Sequence, residues 1–425
     1  MSGRYMDLGK TQKEYAALLK AEAIARNLQD FGLIAEVECN TVETEIALDH
    51  QDAAAARLIL GRSALARVAE PGALNIEDCL EAEFKLEDAQ GHTQAAIQTA
   101  EKAVALLERA GETHDVRYPG LLSQLSNLYS SAGNVRKSFE VLERELAIIN
   151  RNGQADTDSG ITALHNVAVS LMDFGEIGGG CAREGELINR LQTVGKAIRV
   201  PSAVTYGTCK LRLGRPSEAL TWYEQALLTA QKDKSLLYQL YAHGSRARAL
   251  IALRRFEEAG AELDAAAASG KKDATANRRP LLRAEIIRAE LMLAQGRAID
   301  ARRQIDPLLS KVRDADSGGK TYLGATLLLA GRIAIAEGRA ADAEGYAKEA
   351  LAEAEAAARS ADSSADVGEA LLVLAQARHA RGDGAGTHEA SSRAVVSLTN
   401  SLGADAQLTR EALALRDAPI AGSGS

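Results

Sequence analysis

Aromatic side chains supply only 4% of this 425-residue chain, and proline occurs just seven times. Few prolines leave long helices uninterrupted. Alternating β-branched runs are absent, so no segment reads as a strand. No stretch of about 18 apolar residues occurs, which excludes a transmembrane helix within the sequence. The start, Met1 to Lys10, is polar and does not read as a signal peptide. Basic residues are outnumbered, 50 Lys and Arg against 58 Asp and Glu, giving a net charge of −8. That balance argues against non-specific nucleic-acid binding, which depends on Lys and Arg neutralising phosphate. The four cysteines, Cys39, Cys79, Cys181 and Cys209, fit no zinc spacing. They are expected to be reduced, packed thiols of a cytoplasmic protein. A membrane helix preceding this segment in a longer parent would instead make it periplasmic.

Groups for chemistry are equally sparse. None of the seven histidines pairs with another at metal spacing; His379 and His388 lie nine apart across a turn. No motif places a Ser, His and Asp set, and no nucleotide loop, His-Arg-Asp or Asp-Phe-Gly occurs. The expectation is a non-enzyme without metal or cofactor.

What the chain has is a period. A turn recurs at Gly9, His50, Gly91, Gly133, Gly175, Gly214, Arg254, Gly296, Gly338 and Gly382. Successive spacings are 41, 41, 42, 42, 39, 40, 42, 42 and 44. Glycine at such a turn takes the left-handed backbone that ends one helix before the next begins. Steady repetition over the whole length means a stacked array rather than one globular core. Two columns of small residues keep register with the turns. Seven before come Ser126, Ala168, Gly207, Ala247, Ala289, Gly331 and Ala375. Five after come Ala55, Ala96, Ser138, Gly180, Ala219, Ala259, Ala301, Ala343 and Thr387. Small residues at these offsets let the two helices of a hairpin approach closely. Large apolar residues between them, such as Leu128, Leu142, Leu220 and Leu263, recur at three to four, the helical period.

The stretch Tyr206-Gly207 through Gly214-Arg215-Pro216-Ser217-Glu218-Ala219 to Tyr223 and Ala226-Leu227 resembles the tetratricopeptide repeat. Gly133-Asn134 with Leu125, Tyr129 and Phe139 is a second copy. The ordinary repeat is about 34 residues. The longer unit here is similar to kinesin light chain arrays, as are Leu122 to Tyr129 and Leu164 to Ala168. The resemblance implies an all-α fold, an α-solenoid winding as a right-handed superhelix of about nine to ten helix–turn–helix hairpins. Leu402-Gly403-Ala404-Asp405 with Leu408 to Ala412 resembles the closing phrase of tetratricopeptide tails in bacterial serine/threonine protein kinases.

The expected organisation is an array over residues 1–402, a C-terminal capping helix over 403–418 and a disordered tail over 419–425. Only eight residues precede Gly9, and Thr11 to Asn27 reads as a second helix, so the first repeat is expected to be incomplete and the chain to be a fragment of a longer protein, the alternative being an irregular N-terminal cap. The run Gly175-Glu-Ile-Gly-Gly-Gly180 is expected to shorten a helix, since each helical glycine costs up to about 1 kcal/mol. The array should be irregular near 175–214 and should exchange its amides fastest there. Ala268–Pro280 and Asp314–Lys320 read as solvated inter-repeat loops.

These features point to a protein- or peptide-binding scaffold, the sensory or regulatory part of a signalling protein. The alternatives are control of an attached kinase domain and homo-oligomerisation through the terminal repeats. In this fold the first helix of each hairpin lines the groove. Positions ten, six and three before each turn are then Asn40, Thr44, Glu81, Lys85, Asp88, Ser123, Asn127, Ser130, His165, Arg248, Glu290, Arg332, Gln376 and His379, with Asn166 beside them. Asn and Gln both donate and accept, which suits an extended peptide backbone. Lys85, Arg248 and Arg332 suit carboxylates.

Overall fold

A computed structural model describes residues 8–270, 278–314 and 321–418. Twenty α-helices and no strands occur among them. They form two compact units, Met1–Ala163 and Leu164–Ser425.

The first unit holds α1 (Leu8–Leu28) and three hairpins: α2 (Phe31–Ala47) with α3 (Gln51–Leu65), α4 (Ala73–Ala89) with α5 (Thr93–Ala110), and α6 (Tyr118–Ser131) with α7 (Val135–Arg151). The division falls inside α8 (Asp158–Asp173). Unit 2 continues with α9 (Ile177–Thr193), α10 (Val200–Arg212), α11 (Pro216–Lys232), α12 (Leu236–Ala252), α13 (Phe256–Gly270), α14 (Arg278–Ala294), α15 (Ala298–Asp314), α16 (Leu323–Ala336), α17 (Ala340–Ala357), α18 (Ala365–Ala380), α19 (Gly384–Leu402) and α20 (Gln407–Arg416). Nine hairpins result among the described residues, an all-α solenoid architecture. Gly9 is not a turn: it lies within α1, which runs unbroken to Leu28. A helical reading of Thr11 to Asn27 holds, but the turn column starts one repeat later. Residues 271–277 and 315–320, on which the expected loops fall, and residues 419–425, on which the expected tail falls, lie outside the described residues.

The turn column has a backbone cause. Gly91, Gly133, Gly175, Gly214, Gly296, Gly338 and Gly382 all have positive φ, between 74° and 80°. Each closes its helix as Gly91 does, whose N–H bonds the Asp88 carbonyl while His92 bonds Glu87. At the second turn the left-handed residue is Asp49 rather than His50, and at the seventh it is Arg254, φ 59°. The small columns meet at the hairpin crossing. Ser126 Oγ lies 2.9 Å from Ser138 Oγ, seven before and five after the same turn. A Cβ on Gly207 would stand 2.6 Å from the buried Tyr223 ring.

The glycine run behaves differently from expectation. α9 is a regular 17-residue helix, not a shortened one. The 39-residue spacing comes from α10, which has only 13 residues. The glycines serve close approach. A Cβ on Gly180 would meet the Ala168 carbonyl at 2.7 Å, and one on Gly178 the Ser401 carbonyl at 2.9 Å. Ser401 belongs to the last hairpin of unit 2, which returns against the first. Gly175 O accepts from Ala365 N at 2.8 Å and from Ser401 Oγ at 2.6 Å, and Ile177 N donates to Ser401 Oγ at 3.0 Å. Arg359 grips Glu176 with two bonds of 2.8 and 2.7 Å. Beneath them Ile177, Cys181 and Cys209 share a buried cluster with Leu371, Leu372, Leu398 and Leu402. Unit 2 thus closes a seam between its ends.

The cysteines also correct the expectation of reduced thiols. Cys39–Cys79 and Cys181–Cys209 are disulfides, with Cα–Cα distances of 5.0 and 5.3 Å. A separation of 40 residues is one period, so stacking brings Cys39 and Cys79 to the same level of adjacent hairpins.

Amides of Ile177 to Gly180 are therefore expected to exchange slowly, and Ser401→Ala to accelerate them; wild-type exchange as fast as in exposed loops would show the seam open. Arg254→Gly should raise stability by about 1 kcal/mol in urea unfolding, because it removes a left-handed non-glycine.

Candidate functional site

Within each unit the first helices of successive hairpins pack side by side, α2 against α4 and α12 against α14, on the face where the groove is expected. In unit 1, Lys85 on α4 reaches Glu43 on α2 at 2.6 Å and Glu81, one turn away, at 2.6 Å. Gln124 on α6 donates to Glu81 at 2.8 Å. Expected groove residues Glu81 and Lys85 therefore join three helices into a ladder one repeat per step. Glu43 and Glu81 hold the Lys85 ammonium above its usual range, against the opposing effect of burial. Asn40 and Asn127 are exposed and Ser123 is half-buried. Thr44 departs from expectation: it is 5% exposed, buried rather than facing solvent.

Unit 2 carries a longer ladder. Arg248 Nε on α12 bonds Glu290 on α14 at 3.0 Å. Arg332 on α16 bonds Glu369 on α18 at 3.0 Å. Arg212 on α10 bonds Asp366 at 2.9 Å and lies 3.1 Å from Glu369, closing the row across the seam. Arg248 and Glu290 each keep 34% of their side-chain surface and Arg332 keeps 40%, whereas Glu369 keeps 13%. Arg212, Arg332 and Arg248 draw the Glu369 carboxyl below its usual range, although burial opposes them. Asp173 near the same seam is pushed up to about 6 by burial, with the Asp366 charge adding.

The other expected residues divide. Gln376 is half-buried and His379 exposed on α18. His165 instead turns to its own hairpin, where Nδ1 lies 3.0 Å from the buried Glu184 on α9. Its neighbour Asn166 is half-buried. Sequence offsets missed Tyr241, Arg283 and Glu369. Each lies thirteen residues before its turn, which is two helical turns before the position six from it. Extending the same face by one more step would have found them.

No family model and no curated protein matches this chain. Solved structures do. The apo form of the quorum sensor NprR from B. thuringiensis aligns with a TM-score of 0.57 at 15% identity, covering 82% of this chain and 98% of that one. A Rap protein complexed with Competence and Sporulation Factor aligns at 0.46 and 14% identity, covering 91% and 99%. Kinesin light chain repeats from Podosopora anserina align at 0.39 and 19% identity, covering 46% and 95%. With nine hairpins among the described residues, the chain is a tetratricopeptide-like helical solenoid. At these identities the likeness is one of fold. No described helix is long and apolar enough to cross a membrane.

Buried carboxyls outside the ladders give unit 1 a pH signature. Burial pushes Glu145 on α7 up to about 8, and Glu77 on α4 rises by burial and by the charges of Glu81 and Asp78. Neither Glu77 oxygen finds a donor among the described residues, and Arg117 stays 3.9 Å away. Folding therefore favours the protonated forms. The unfolded chain ionises first, near 4.5, so this stability is present below that pH and lost as pH rises through about 8. The urea midpoint should fall across that window, and Glu77→Gln with Glu145→Gln should flatten the slope. An unchanged slope in the double variant would show that both carboxyls are ionised when folded.

Proposed function

We propose that this chain is a non-catalytic scaffold that binds a protein or peptide segment along the inner faces of its helical arrays. The observation that carries the reading is the solvent-exposed pairing of the inner-face charges. Partly exposed ion pairs contribute roughly 0–1 kcal/mol, so an incoming charged group can exchange with a resident partner at little cost. The Arg248–Glu290 pair, about a third exposed on each side, is such a pair. Asn40, Ser123, Asn127, Asn166 and Gln376 supply neutral donors and acceptors for a peptide backbone. A quorum sensor with the same type of fold makes a regulatory role the natural setting. The finer reading is the regulatory segment of a larger bacterial signalling protein, with restraint of an attached kinase domain as one form of it.

A second reading rests on a separate observation. Ile24 and Leu28 on α1 and Ile59 and Leu60 on α3 are 57, 66, 65 and 45% exposed. They favour self-association through the N-terminal end of unit 1, which sedimentation over a concentration series resolves.

For the scaffold reading, random peptides displayed on phage should enrich on the intact chain and bind saturably. Asn40→Ala with Asn127→Ala, both on unit 1, should weaken an enriched peptide by about tenfold, or about 1.4 kcal/mol. Unchanged affinity excludes this stretch of the groove.

A further inference from the structure

Among the described residues, one cation of the unit 2 ladder, Arg283, has no anion within pairing distance. Arg283 lies on the same face of α14 as Glu290, seven residues before it. Across from it, α12 presents Tyr241, Ser245 and Arg248 at the matching helical spacing. Two helical turns along, Arg248 meets Glu290. Among the described residues, Arg283 bonds neutral groups: Nη2 donates to Ser245 Oγ at 3.2 Å and Nη1 to the Tyr241 carbonyl at 3.5 Å. No carboxylate pairs it among the described residues. Gly244 leaves the space, since a Cβ there would stand 3.3 Å from Arg283 Nη1.

Arg283, Tyr241 and Tyr322 are half-buried. Tyr322, in the loop before α16, lies beside Tyr241 and is pushed up to about 12 by burial. Tyr223 comes from α11, its hydroxyl 3.1 Å from Thr208 Oγ1. Burial and the Arg248 charge both act to lower the Arg283 affinity for its proton. A guanidinium nonetheless stays charged in proteins and has five N–H donors in a fixed fork. Two of them are used here. Elsewhere on this face Arg212, Arg248 and Arg332 each have a carboxylate.

We propose that Arg283, with Arg248 beside it, receives a carboxylate of the bound peptide, from its C-terminus or from an Asp or Glu side chain. The proposal rests on the peptide-binding reading above. A carboxylate matches the guanidinium fork with two parallel bonds and neutralises the excess positive charge between the two arginines. The Tyr241 and Tyr322 rings then border a chain leaving the site.

The test uses the intact chain and four pools of random hexapeptides: acidic or amide residues at a fixed position, each with a free or amidated C-terminus. Acidic or free-acid pools should bind about tenfold tighter than their neutral counterparts in fluorescence anisotropy. The arm showing the difference identifies the carboxylate source. Arg283→Gln should abolish the preference, and Arg283→Lys should retain part of it, with circular dichroism confirming that each variant is folded. Equal binding of charged and neutral pools overturns the carboxylate site while leaving peptide binding intact. Binding by no pool defeats the peptide reading instead. Glutarate alone then decides the site: a shifted Arg283 guanidinium resonance, lost in Arg283→Gln, supports it, and no shift overturns it.

Discussion

No hairpin in this chain can bury its own apolar surface, and that constraint organises everything else. Two amphipathic helices share one face; each hairpin leaves another face bare until a neighbour covers it. Alanine, serine and glycine at the crossing allow the contact to be close enough to exclude water. Ser126 against Ser138 and Gly207 against Tyr223 are the same solution with different atoms. Leucine and isoleucine then fill what remains, and the few aromatics serve as local plugs rather than as a core.

In unit 2 the constraint meets itself. The last hairpin covers the first, and the array that began as a row ends as a closure. Gly178 and Gly180, which look like helix breakers, are the residues that let α9 come near enough. Their intrinsic helical penalty is offset by hydrophobic burial around Ile177, Leu398 and Leu402 and by the Ser401 and Arg359 bonds.

Legibility followed the range of the interaction. The turns and the small columns were readable because they depend on neighbours within one hairpin. The Arg248–Glu290 ladder was half readable: both positions fell on the expected face, but their mutual pairing needs adjacent hairpins in register. Thr44 is buried and His165 bonds Glu184 of its own hairpin, features that a fixed offset from the turn does not carry. The seam was invisible, since its partners lie 183 to 226 residues apart and no periodicity links them. The Cys39–Cys79 pair lay between these cases, separated by one period yet silent without knowing which faces stack.

The seam also bears on how this protein can evolve. Open solenoids gain and lose repeats readily, because an inserted hairpin repeats a contact already present. Unit 2 lacks that freedom. One added or missing hairpin would carry Ser401 and Arg359 a full step past Gly175 and Glu176, leaving both ends uncovered. The number of repeats between the two ends is therefore a fixed count, set by geometry in the way strand number is set in a closed barrel.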